Sequence, residues 1–134
     1  MKRILLTAFA VAAVAAGFGI AAHPAAAAYA ARVQAGTLTI TGDNASDKLA
    51  LIADPATLTL DVGEDGTADF TFDRSTFTAV DVQAGGGDDE VRIIGSLIGD
   101  GVSINGGAGD DTLLGGPEAD TLNGGGGSDF VDGN

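Results

Sequence analysis

Asp111, Asp120 and Asp129 stand nine residues apart, and each is followed two places later by a large apolar residue, Leu113, Leu122 or Val131. The contiguous segments are Gly106–Leu114, Gly115–Asn123 and Gly124–Asp132, and each opens on paired glycines. Ala84–Arg92 fits the same pattern, with Ala84 for the first glycine, Asp89 at the acidic place and Val91 at the apolar place. A carboxylate and an apolar residue recurring at one period specify stacked coils. Such a stack offers oxygen ligands, from Asp side chains and from glycine backbone that reaches φ > 0 cheaply and can turn its carbonyls inward. Oxygen-only coordination suits a hard divalent cation, calcium above all.

The pattern resembles the RTX (repeats-in-toxin, hemolysin-type) nonapeptide, G-G-x-G-x-D-x-U-x, with U a large apolar residue. The segments opening at Gly106 and Gly124 match closely; the one opening at Gly115 departs at Glu118, where the pattern has glycine. The resemblance implies a β-roll in which two nonapeptides make one coil. Each contributes a six-residue turn and a three-residue strand. Turns eighteen residues apart then stack on one edge, so Asp111 and Asp129 are expected to share a Ca2+ ion. Backbone carbonyls of the Gly106–Gly109 and Gly124–Gly127 turns would complete the shell. The ligand set implied is Asp111, Asp129, Asp120 and Asp89 with Gly107, Gly109, Gly125 and Gly127. Asp120 would lie on the opposite edge, facing an absent or degenerate neighbour. Asp89 precedes Asp111 by 22 residues, so Ile93–Asn105 must hold an insertion or a degenerate turn; Val102-Ser103-Ile104 could still pair as a strand. Asp88 and Asp110 occupy a variable place and read as surface charge. Glu118 either strains its turn or adds a ligand. A flexible Gly/Asp-rich tail is the rival reading, and the shared register of acid and apolar residue argues against it.

Upstream the period changes to two. Thr37–Thr41, Thr57–Val62, Phe70–Phe72 and Val80–Val82 alternate polar and apolar residues, as half-buried strands do. Gly63-Glu64-Asp65-Gly66 reads as a hairpin turn, and Asp54-Pro55 punctuates another connection. Asp61-x-Gly63-x-Asp65-Gly66 looks faintly like an EF-hand opening, but Gly63 and Phe72 stand where that loop needs oxygen ligands. Gly42–Ala50 has Asp47 and Leu49 at the sixth and eighth nonapeptide places. It lacks the inner glycines and precedes Asp89 by 42 residues, not a multiple of nine, so a turn with an Asp side chain is the reading preferred. No helical period occurs after the N-terminal segment. The fold class expected is all-β: an irregular antiparallel β-segment over 31–83, then a short parallel β-roll over 84–134.

Residues 1–30 read as a secretory signal peptide: Lys2 and Arg3, an uncharged apolar stretch from Ile4 to Ile20, and the A-x-A pattern Ala28-Tyr29-Ala30. Cleavage near Ala30 would give a secreted protein with no stable membrane insertion; a retained anchor is the alternative. Removing Lys2 and Arg3 leaves four basic residues against nineteen acidic ones, a formal charge of −15. Such a surface excludes nucleic acid and anionic membrane as partners. It repels itself, and a divalent cation relieves that. With no cysteine there is no disulfide, and six Phe, one Tyr and no Trp make a lean core that gains from bound metal. The repeat half is therefore expected to order only with calcium.

The chain ends at Gly133-Asn134, the opening of a further copy, without the cap a solenoid needs. Truncation of a longer protein, a partner or self-association is expected there. No H-E-x-x-H or G-x-S-x-G occurs, and the sole histidine, His23, lies in the leader. Catalysis is not expected. A secreted calcium-binding protein is the leading reading. A calcium-stiffened adhesive or structural surface module, or an accessory fragment of a longer secreted enzyme, remain the alternatives.

Overall fold

A computed structural model describes residues 29–97, 99 and 101–134; the leader segment 1–28 lies outside the described residues. The architecture is all-β. Eleven strands are described: β1 (Ala30–Gln34), β2 (Thr37–Thr41), β3 (Lys48–Ala53), β4 (Thr57–Val62), β5 (Phe70–Asp73), β6 (Ala79–Gly86), β7 (Glu90–Gly95), β8 (Gly101–Ala108), β9 (Thr112–Leu114), β10 (Asp120–Gly126) and β11 (Phe130–Asp132). They form two sheets, ordered β1-β2-β6-β8-β10 and β11-β9-β7-β3-β4-β5. The chain passes from one sheet to the other and back, so β2/β3, β6/β7, β8/β9 and β10/β11 are four successive coils with parallel pairing between coils.

Alternation explains the core. In β2, Leu38 and Ile40 are fully buried, with Thr39 between them only partly so. Ile40, Val82, Ile104 and Leu122 share one register column, and Leu49, Val91, Leu113 and Val131 another in the facing sheet. Members of the inner coils are buried, and Val131 of the last coil is 45% exposed. The column Leu38, Val80, Val102 ends on Asp120, a carboxylate where the coils before it bury apolar carbon.

The segment over 31–83 is antiparallel where β1 meets β2 and where β3, β4 and β5 meet. It departs from the expectation in one respect. β2 and β3 also pair in parallel with β6 and β7, so this segment contributes the first coil of the stack. The hairpin β4–β5 and the 3₁₀ turn at Arg74–Thr76 lead off one edge and return through Phe77 to β6. The hairpin turn holds Gly63, Glu64 and Gly66 at positive φ. Asp61, 5% exposed, accepts from the backbone N–H groups of Asp65 (3.1 Å) and Gly66 (3.0 Å). Its carboxylate thus closes the acidic hairpin rather than opening a cation loop.

Tyr29, 1% exposed, belongs to the core, and Ala30 pairs with Thr41. A leader cut after Ala30 would remove a buried side chain and the first residue of β1.

Candidate metal centre

One edge of the stack is regular. The crossings from sheet to sheet at 42–47, 84–89, 106–111 and 124–129 are all six residues long and lie between residues in register on both sides. Their last residues are Asp47, Asp89, Asp111 and Asp129. The added chain leaves and returns at the other edge: the segment carrying β4 and β5 between Ala53 and Ala79 after the first coil, and a longer connection between the register residues Arg92 and Val102 after the second. Sequence separations of 42, 22 and 18 therefore all become one step of the stack. Asp47, expected as the side chain of a turn, is in a turn and also stands in line with the other three.

The four aspartates form a hydrogen-bonded ladder. Asp89 Oδ1 accepts from the Asp47 N–H (2.9 Å), Asp111 Oδ1 from the Asp89 N–H (2.8 Å), and Asp129 Oδ1 from the Asp111 N–H (3.0 Å). A second ladder runs the opposite way one residue earlier. Ser46 Oγ accepts from the Asp88 N–H, Asp88 Oδ1 from the Asp110 N–H, and Asp110 Oδ1 from the Ser128 N–H. Asp88 and Asp110 are exposed, as expected of surface charge, but each also ties its loop to the next. A third ladder of amides, Asn123 to Asn105 to Gln83, precedes the loops. Its members share a single register column, a signal present in the sequence and unused.

The remaining oxygens define what the edge can bind. Asp47 Oδ2, Asp89 Oδ2 and Asp111 Oδ2 are buried and meet no donor. A buried carboxylate oxygen without a partner costs about 1–3 kcal/mol or more, unless a cation meets it. Lys48 pairs with Glu90 and Arg92 with Glu64, so neither ion pair reaches the ladder. Burial pushes the Asp89 carboxyl up to about 6, with the charges of Asp111, Asp47 and Asp43 adding to the rise against the lowering pull of the Asp47 N–H. Asp47 is raised as well, by burial and by Asp43.

Glycine sets how closely the loops approach. Gly107 has φ 111°, and a Cβ there would overlap the Gly85 carbonyl oxygen of the coil before it. Gly127 has φ 134°, and its Cβ would overlap Gly109 O. Gly109 and Gly125 meet Gly87 O and Gly107 O in the same way. A Cβ at Gly106 would fall against Asp111 Oδ2 and 2.6 Å from Gly124 O. The gap between these loops thus faces a donor-less carboxylate oxygen and a backbone carbonyl at once.

Among the described residues, no three His, Cys, Asp or Glu side chains gather into a metal cluster. The ladder supplies one carboxylate per loop, so most of any shell must be backbone carbonyl oxygen. That all-oxygen set suits a large, hard cation of flexible coordination. Residues 103–134 match the RTX calcium-binding nonapeptide repeat (4 copies). The chain carries RTX repeats. RTX calcium-binding repeats bind Ca2+, and the residues on this edge fit that ion. No curated protein and no solved structure matches the chain.

Of the RTX ligands expected, Asp89, Asp111 and Asp129 are brought to one edge with Gly107, Gly109, Gly125 and Gly127. Asp120 is not among them. It opens β10 on the other edge, where its Oδ2 accepts from the Gly116 N–H (2.7 Å). Glu118 neither holds a positive φ nor stands in the ladder; it accepts from Ser96 Oγ and from the Leu97 N–H (3.2 Å). Its carboxylate fastens the 115–119 turn to the turn before it.

Proposed function

We propose that this chain is a secreted calcium-binding protein whose repeats form a β-roll around Ca2+ held along one edge. The observation that carries this reading is the aspartate ladder with its buried, donor-less Oδ2 atoms. Asp111 and Asp129, with carbonyls of the 106–109 and 124–127 turns, would hold one ion; Asp89 and Asp111, with the 84–87 and 106–109 turns, would hold another. Bound calcium supplies positive charge where neighbouring carboxylates otherwise repel. At a strand spacing of about 4.8 Å two carboxylates repel by roughly 0.9 kcal/mol even at the dielectric of water, and burial raises that. The chain's own part is positional: glycines let the loops approach, and the amide ladder holds the carboxylates in line.

Far-UV circular dichroism should gain β-signal on calcium addition and not on magnesium addition. Asp129→Ala should weaken calcium binding about tenfold or more, and Asp54→Ala, at an exposed turn, should not. Equal effects of the two in a calorimetric titration would remove the shared-edge assignment. RTX repeats act as binding modules, and we assign no reaction to this one. Export through the N-terminal leader belongs to the same reading, with the cut placed before Tyr29 because Tyr29 is a core residue. Intact-mass measurement of the secreted protein checks that position; a chain beginning at Ala31 would exclude it.

A further inference from the structure

The first crossing, Gly42-Asp43-Asn44-Ala45-Ser46-Asp47, lies outside the matched repeats and lacks their inner glycines. It nevertheless occupies the same place in the stack. Its last N–H donates to Asp89 Oδ1, Asp43 O accepts from the Gly86 N–H (2.9 Å), and Gly42 N–H donates to Gln83 O (2.8 Å). The glycine rule does not bind here, for a physical reason. A Cβ at the second and fourth loop places strikes the carbonyls of the preceding coil, and this is the first coil. Asp43 and Ala45 can therefore carry side chains, while Gly85 and Gly87, facing Asp43 O and Ala45 O, cannot.

Three polar atoms converge on this loop without partners. Asp89, 2% exposed, and Asp47 each leave Oδ2 buried with no donor. The third is the hydroxyl of Tyr29, 1% exposed and also unpartnered. Its ring edge lies against Gly42: a Cβ there would be 2.9 Å from Tyr29 Cε1 and would overlap the Ala84 carbonyl oxygen. The charges acting on the hydroxyl are those of Asp89, Asp47, Asp111 and Asp43. A buried, unpartnered hydroxyl beside buried carboxylate oxygens that meet no donor marks a space suited to a hard cation.

We propose a further calcium site between the 42–47 and 84–89 loops, held by the Asp47 and Asp89 carboxylates with carbonyl oxygens of both loops and closed at the end of the stack by Tyr29. This site rests on the calcium reading above but not on the matched repeats. It makes the non-repeat first coil part of the cation-binding edge.

Tyr29 is the sole tyrosine, and there is no tryptophan. Intrinsic tyrosine fluorescence of the full chain therefore reports from the Tyr29 end of the stack, while calorimetry counts all ions. Calcium titration of the parent chain should change tyrosine emission saturably. Asp47→Asn should abolish that change or shift it at least tenfold in calcium and lower the stoichiometry by one, leaving the β-signal gained by the repeats. Asp129→Asn should lower the stoichiometry and leave the tyrosine titration in place. Tyr29→Phe, which keeps the ring, should still bind at this site with affinity reduced severalfold by calorimetry. If Asp47→Asn binds as the parent does while Asp129→Asn loses an ion, the first-coil site is wrong and the repeat sites stand. If the parent binds no calcium, both fail.

Discussion

At the residue scale, glycine is required where the coil before it presses a carbonyl on the chain. Gly107→Ala adds a Cβ onto Gly85 O at φ 111°. It should destabilise the calcium-loaded protein by about 3 kcal/mol or more. Gly133→Ala meets open space and should fall within about 0.5 kcal/mol. Comparative thermal melts check both. Asp89 carries a second prediction, in which the two signs oppose. Its carboxyl is raised to about 6 from an ordinary 3.8. The metal-free fold therefore binds that proton more tightly than the unfolded chain does. The resulting stability is present in full below about pH 4 and is lost as pH rises through about 6. Calcium needs the ionised form, so its affinity should fall as pH drops below about 6. Melts from pH 4 to 7 should show the metal-free midpoint falling with pH and the calcium-induced increment growing. A metal-free protein most stable at neutral pH would contradict the buried, uncompensated carboxylate.

At the element scale, much was legible. The alternations at Thr37–Thr41, Thr57–Val62, Phe70–Phe72 and Val80–Val82 fall within β2, β4, β5 and β6. Alternation of polar and apolar side chains reflects the pleat directly, so it survives without tertiary context. β3 was not legible. Lys48-Leu49-Ala50-Leu51-Ile52-Ala53 is nearly continuous in apolar residues, because it is a central strand between β4 and β7. The hairpin after it is braced by Asp61, whose carboxylate satisfies two turn amides. Asp61→Ala should cost about 1–3 kcal/mol in chemical denaturation. It should leave calcium stoichiometry unchanged, since both Asp61 carboxylate oxygens are taken by turn N–H groups. A lost ion in that variant would show that the hairpin turn holds metal after all.

At the scale of the whole molecule, the stack has unequal ends. β10 and β11 each pair with one neighbour, and Phe130 and Val131 are 59% and 45% exposed. β3 and β7 are interior strands with Leu49 and Val91 fully buried. Stability in a coil array is carried by contacts between neighbours. Amide hydrogen exchange should accordingly be fastest in Phe130–Asp132 and slowest in β3 and β7, with calcium slowing the ladder amides of Asp47, Asp89 and Asp111 most. Uniform protection would mean that the array unfolds as one unit.

The sequence by itself determined the acidic, cysteine-free composition, the nonapeptide carrying Asp111, Asp120 and Asp129, and the all-β class. These are local properties: composition is additive, and a contiguous repeat needs no knowledge of what lies between its copies. Only the tertiary structure decided which aspartates share an edge. Counting by nines isolates Asp47 and breaks the register at Asp89, because it treats every intervening residue as part of the stack. In the fold, the residues added between Asp47 and Asp89 and between Asp89 and Asp111 leave from the opposite edge and return to it. Inserted chain there lengthens a loop at little cost, while the six-residue crossings stay fixed by hydrogen bonds to the coils beside them. The first loop's missing glycines follow from the same three-dimensional fact: among the described residues no coil precedes it to press against them.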